Sequence, residues 1–188
     1  AVWAKNVIRD ETGQVVGIAG AFQDITERVQ IERVLRRRLA ELEALHTIST
    51  ALRAAQTRGE ALTILLDETL AALETEAGII WLYHPEHGQL RAAVDRGWFQ
   101  KLGETPIRPG EGIAGRVFTQ GQVHVSAEFA RDPLVRAEIQ SQIPSGWGGA
   151  CIPIRSGALV VGTLFVSVLL PRQIAAEEVS LLESLVEI

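Results

Sequence analysis

Apolar and polar residues alternate from Ala1 to Phe22, and just beyond, in "QDITERVQIERVL", the alternation gives way to apolar residues three or four apart among charges. The alternating stretch folds back at Asp10-Glu11-Thr12-Gly13, where glycine supplies the positive φ of a tight turn, so it is read as a β-hairpin. A second hairpin is expected over about Ala77 to Val94, turning at His84-Pro85-Glu86-His87-Gly88. A third joins Ala150–Arg155 to Ala158–Leu170 through Ser156-Gly157. Sheet pairing is therefore expected to be mainly antiparallel.

Helices fill the intervals. Asp24, with Glu27 three residues on, has the form of an N-cap and its reciprocal partner, so a helix is predicted to begin at Ile25 or Thr26. Neither Gly nor Pro interrupts it before about Ala55. Ile31, Leu35, Leu42, Leu45 and Leu52 follow a 4-3 spacing that takes in Arg38 and Ser49 as polar exceptions, while Leu35, Leu39 and Leu42 offer a second register. The pattern suits a parallel coiled-coil dimer, or one amphipathic helix lying on its own domain, with Arg36-Arg37-Arg38 as solvated surface. Gly59 interrupts, and a second helix carries Leu62, Leu65, Leu66, Thr69 and Leu73 on one stripe. Further helices are expected at Gly112 to Thr119 and at about Ala175 to Ile188, the last with Val179, Leu182, Leu185 and Val186 on its apolar face. The predicted class is α/β (α+β): a central antiparallel sheet with flanking helices, preceded by a hairpin and a long linker helix.

Composition narrows the function. The 188 residues are 47% hydrophobic, enough for a packed domain and extra elements, and the formal net charge of −5 argues against nucleic acid as a main partner. No apolar run reaches the roughly 18 residues that span a bilayer. A single cysteine makes no internal disulfide and no signal peptide opens the chain, which points to the cytoplasm. With no methionine anywhere and a first residue inside a strand pattern, the chain is expected to be a piece of something longer.

Two long segments, Asp95–Gly112 and Ser126–Gly148, combine Gly, Pro and charge with Trp98, Phe99, Phe129 and Trp147, as lids do. Folded over a sheet face carrying Trp81, Cys151 and Phe165, they either enclose a small-molecule cavity or fill the core beneath the loops. The candidate ligand-binding set is Trp81, Phe129, Trp147, Cys151 and Phe165. His84, Glu86 and His87 lack the further ligands of a metal site and are read as an ordinary turn. His46 falls on the linker helix and His124 on a strand, neither with a nearby acid in sequence to suggest a relay; Cys151, on an apolar strand, is read as inert packing. No residue is assigned a catalytic role and no motif names a cofactor.

Two stretches resemble known families. "VIRDETGQVVGIAGAFQDITERVQIE" resembles the closing hairpin and exit motif of a PAS domain, with Asp24-Ile25-Thr26-Glu27-Arg28 matching its D-[IV]-T-E-[RK] signature. It covers only the last two strands of that fold, so the PAS ligand pocket is absent. From about Leu45 to Ile188 the chain resembles a GAF domain, through "GIIWLYHPEHGQL", "RPGEGIAGRVFTQGQVHV", "ARDP" and "ACIPIRSGALVVGTLFVSVLLPRQ". The resemblances imply residues 1–24 as a PAS remnant, 25–44 as a helical signalling linker and 45–188 as a GAF domain leading to an output helix. They imply a non-catalytic sensory and dimerisation module, with Asp24, Thr26 and Glu27 at the signalling junction and a small-molecule ligand of unknown identity. The expected parent is a bacterial sensor histidine kinase; the alternatives are a diguanylate cyclase or phosphodiesterase, a tetrapyrrole-binding GAF protein, or a free-methionine-sulfoxide reductase. The Asp-Ile-Pro motif of bilin-binding GAF domains and the Asn-Lys-Phe-Asp-Glu signature of phosphodiesterase GAF domains are missing, and a lone cysteine leaves a reductase without its resolving thiol.

Overall fold

The computed structural model describes residues 2–23, 25–36, 38–39, 42 and 57–186. The chain divides into two units, Ala1–Glu43 and Ala44–Ile188.

In the first unit, β1 (Val2–Arg9) pairs antiparallel with β2 (Val15–Gln23), Val7 facing Ile18. Asp10 builds the turn. Its Oδ1 accepts the Thr12 N–H at 2.9 Å, the Thr12 hydroxyl at 2.6 Å and the Gln14 N–H at 3.0 Å, while Gly13 takes φ 84°. Donation by the Thr12 hydroxyl is the main reason the Asp10 carboxyl sits below its ordinary value. β2 ends at Gln23 and helix α1 occupies residues 26–36, with an Arg36–Glu32 ion pair at 2.6 Å one turn apart. Ile31, Val34, Leu35, Leu39 and Leu42 are exposed. Asp24, His46, Leu45 and Leu52 lie outside the described residues, as does the predicted run of the helix to Ala55.

The second unit opens with α2 (Arg58–Ala72), where Thr57 Oγ1 accepts the Glu60 N–H at 3.1 Å. Gly59 therefore sits inside the first turn and does not separate two helices. A first-turn glycine is tolerated because the threonine cap ahead of it nucleates the turn and Leu62, Leu65 and Leu66 bury the face behind it. Five strands follow: β3 (Ala77–His84), β4 (Gln89–Arg96), β5 (His124–Ser126), β6 (Trp147–Ser156) and β7 (Leu159–Leu169). They form one antiparallel sheet in the order β4-β3-β7-β6-β5. The third hairpin turns one residue later than predicted. Ser156 pairs with Leu159, so Gly157-Ala158 makes the connection and Gly157, at φ 59°, supplies the left-handed residue.

Alternation along the strands sorts the core into two layers. Ile80, Ile152, Ile154, Leu164 and Val166 face α2 and α5 (Ala176–Leu185), meeting Leu65, Leu66 and Leu182 in an aliphatic layer. Each such fully buried leucine contributes about 2 kcal/mol. Arg172 ties the layer's helices, donating to Leu73 O and to Glu178 Oε1, whose Oε2 accepts the Ala175 N–H that begins α5. The intervening residues Ile79, Trp81, Cys151 and Phe165 face the other way. Covering them are a 3₁₀ turn at Gly97–Lys101, α3 (Gly112–Gln120), a second 3₁₀ turn at Phe129–Arg131 and the single-turn α4 (Ala137–Gln140). The two segments read as loops thus carry short helical turns, which satisfy backbone groups that burial of their aromatics would otherwise strand.

Candidate functional site

The aromatic layer surrounds a cavity of about 60 Å³. Its floor is Trp81 on β3 and Phe165 on β7, both buried. Trp98 and Phe99 form one wall, stacked with centroids 3.9 Å apart at 21°. Phe129 forms another, edge-on to Phe99 at 6.4 Å and tilted on Phe165 at 6.0 Å. Its ring reaches the sheet because position 149 is glycine: a Cβ there lies 3.0 Å from the ring and 2.1 Å from Val166 O. The remaining wall is built from Ile113 and Ala114 of α3 with Val135, Ile139 and Ile143 of the covering segment.

Two polar pairs hold that covering segment. Arg136 Nη1 donates to Glu111 Oε1 at 3.3 Å, joining the segment to the start of α3 at the cavity wall. The Arg108 N–H, donating to Glu111 Oε2 at 3.1 Å, and then the Arg136 charge hold the Glu111 carboxyl below its ordinary value. The second pair corrects a sequence expectation. His124 has an acid partner, Asp132, with Nε2 2.7 Å from Oδ2. The two are eight residues apart, and a 3₁₀ turn brings "ARDP" back beside β5. Burial raises the Asp132 carboxyl, but donation from His124, the Leu134 N–H and the Ser126 hydroxyl outweighs it and leaves the carboxyl below its ordinary value. His124 and Ser126 both turn to the same carboxylate, so the trio fastens the segment and does not line up a nucleophile with a base.

Of the predicted ligand-binding residues, Trp81, Phe129 and Phe165 line the cavity. Cys151 is fully buried in the floor's packing and does not line it; burial pushes its thiol well above the ordinary value, against a smaller pull from the Thr163 hydroxyl. Trp147 is also displaced from the prediction. It begins β6 opposite Leu169 and lines an open groove with Leu70, Glu74 and Arg172, at the margin of the aromatic layer. A tryptophan at the strand's first residue pairs with the last residue of β7, at the end of the sheet. Glu111 and Arg136 were missed, since a pair 25 residues apart leaves no mark in local spacing. His84 and Glu86 meet at 3.2 Å in the β3–β4 turn, and among the described residues no group of His, Cys, Asp and Glu is arranged to hold a metal ion.

The sequence profile of the GAF domain matches residues 55–188. The chain belongs to the GAF domain family. Such domains are typically sensory or regulatory modules of signalling proteins. No curated protein matches the chain. Among solved structures, this GAF domain is similar to the GAF domain of a phosphoenolpyruvate-protein phosphotransferase from Coxiella burnetii, at 22% identity and a TM-score of 0.70, over 79% of this chain and 89% of that one. It is similar to the free methionine-R-sulfoxide reductase of Neisseria meningitidis in complex with its substrate, at 18% identity and a TM-score of 0.64, over 78% and 83%. The nlh2 GAF domain of A. aeolicus in an inactive state, at 22% identity and a TM-score of 0.60, covers 79% and 89%. These likenesses concern the fold. Among the described residues, no helix is long and apolar enough to cross a membrane.

Proposed function

We propose that this chain is a non-catalytic sensory module in which the GAF cavity takes a small molecule and the flanking helices carry the consequence onward. The observation behind this reading is the cavity among Trp81, Phe129 and Phe165, covered by a segment fastened through two polar pairs. A cavity inside a core packed to crystal density costs stability, and a filling ligand recovers it. In the proposed division, residues 1–24 are a PAS remnant, 25–44 the linker and 45–188 the sensor, within a larger sensor histidine kinase. The exposed stripe of Ile31, Leu35 and Leu42 supports a parallel homodimer through the linker.

Tryptophan fluorescence gives the direct test, since Trp81 and Trp98 stand on the cavity wall. Titration with small molecules of a few carbons is expected to change the emission and raise the melting temperature, and Ala114→Leu, which fills the cavity, is expected to abolish both responses. Equal responses in wild type and Ala114→Leu place binding elsewhere and defeat the proposal.

A further inference from the structure

The walls of the aromatic cavity offer a guest almost no polar surface. Apart from the indole nitrogens of Trp81 and Trp98, the polar side chains among its lining residues are Glu111 and Arg136, and these are paired with each other. Glu111 Oε1 accepts from Arg136 at 3.3 Å, and its Oε2 accepts the Arg108 N–H at 3.1 Å. The backbone is engaged as well. The floor lies in the β3–β7 ladder, where Ile79 faces Phe165 and Trp81 faces Thr163. Ile107 and Leu90 exchange N–H···O bonds of 2.9 and 2.7 Å, and on the cover Ile139 O accepts the Gln142 N–H at 2.9 Å.

A water molecule needs about two to four polar partners to be held, and a hydroxyl or amide brought into such a space gives up its bonds to water for nothing in return. A hydrocarbon gives up no such bonds and gains contact with the rings around it. The same walls therefore reject polar molecules and ions that fit by volume. Size makes the remaining selection. On the scale by which an engineered cavity of about 150 Å³ takes one benzene, 60 Å³ takes about two or three carbons. Trp98 and Phe99 are stacked at 3.9 Å and Phe129 stands edge-on to Phe99, so the walls are close-packed and do not slide apart for a longer chain.

We infer that the ligand of this GAF cavity is a short hydrocarbon, an uncharged molecule of about two or three carbons without a hydrogen-bonding group, held by the aromatic walls alone. This rests on the sensory reading above and names the class of molecule to which the sensor responds. Such a ligand has no charge with which to pull on the protein, so it acts through volume. Val135, Ile139 and Ile143 of the covering segment meet it from one side and Trp81 and Phe165 from the other, and its arrival joins cover to sheet.

Methyl NMR of the whole chain tests the inference, with the signals of Ile113, Ile139 and Ile143 reporting on the cavity they line. The probes are propane, dimethyl ether and ethanol, alike in size, with n-hexane as the longer chain. Propane is expected to bind at least about tenfold tighter than either oxygen-bearing probe, and tighter than n-hexane although hexane is the more hydrophobic. The indole nitrogen of Trp98 is buried and has no partner among the described residues, and dimethyl ether, which accepts without donating, reports whether a guest engages it. Val135→Thr keeps the shape of a side chain that lines the cavity and sets a hydroxyl on the wall. It is expected to tighten ethanol several-fold and to weaken propane, a reversal that loss of structure does not produce. Dimethyl ether or ethanol binding as tightly as propane overturns the hydrocarbon and leaves the sensory reading standing. Tighter binding of n-hexane than of propane overturns the size. No response of these methyls to any of the probes overturns both.

Discussion

Truncating Phe129 to alanine separates a packed aromatic layer from a loose cover over a void. The ring is 2% exposed and touches Trp98, Phe99 and Phe165 at centroid distances of 6.1, 6.4 and 6.0 Å. Removing so enclosed a phenyl costs about 3–5 kcal/mol, transfer and cavity together. With an m-value of about 2 kcal/mol/M, the urea midpoint falls by about 1.5–2.5 M. The deleted ring also joins its volume to the existing cavity, which then accepts a benzene-sized guest. Benzene at about 100 times its Kd recovers about 2.7 kcal/mol in Phe129→Ala, and the 60 Å³ of the wild type is too small for the same gain. Equilibrium unfolding in urea, with and without benzene, measures both quantities. A midpoint shift below about 0.5 M, near 1 kcal/mol at that slope, refutes the packing argument. Equal stabilisation of both proteins by benzene refutes the volume.

Asp132→Asn is expected to cost about 1–3 kcal/mol at pH 7, because it removes the charge that three donors address. The folded-state carboxyl lies below its ordinary value, so this contribution is fully present above the unfolded value of about 4 and is lost as pH falls through the folded value. Urea midpoints of wild type and variant, measured from pH 7 downward, should therefore differ constantly to about pH 5 and converge in acid. Gly149→Ala forces a Cβ to 2.1 Å from Val166 O, a backbone atom in the sheet centre, and is expected to cost at least about 3 kcal/mol, whereas Gly59→Ala, with open space in the first turn of α2, is expected to stabilise by about 0.5–1 kcal/mol. Thermal melts rank the two, and a benign Gly149→Ala sinks the close approach of Phe129 to β6. On the proposed linker homodimer, Leu35→Glu is expected to leave a monomer in sedimentation; a wild type that sediments as a monomer refutes the dimer, and a variant that stays dimeric places the self-association away from α1.

The scaffold was legible because it is written in local periodicities. Leu62, Leu65 and Leu66 announce α2, and Gly13, Gly88 and Gly157 mark turns whose backbone needs φ near +60° to +85°. Both lids were legible too, through aromatics stranded among polar residues. Two details of the elements were misread for physical reasons. A threonine cap ahead of Gly59 outweighs that glycine's entropy, and pairing of Ser156 with Leu159 moves the third turn forward by one residue. The apolar half of the site was legible, on strands at Trp81 and Phe165 and on the covering segment at Phe129. Its polar half was not, because Arg136 with Glu111 and His124 with Asp132 join segments whose paths no spacing rule describes.

Why the void lies on one side of the sheet follows from what each layer has to meet. On the helical side, branched aliphatics such as Ile80, Ile152 and Leu164 face leucines of α2 and α5, and flexible side chains on regular helices settle readily into one another. On the other side, Trp81 and Phe165 face Trp98, Phe99 and Phe129, rigid plates held on short 3₁₀ turns whose backbone is itself pinned. Plates that meet at 53–73° cannot close the wedge between them. The cavity is therefore a consequence of using aromatics on irregular backbone. Phe129→Leu removes volume beside plates that cannot settle, so it should enlarge the space, at a smaller cost than alanine, and should admit a larger guest than the wild type does. A leucine variant that takes no larger guest than the wild type shows that the neighbours settle and that the aromatic frame is not what keeps the space open.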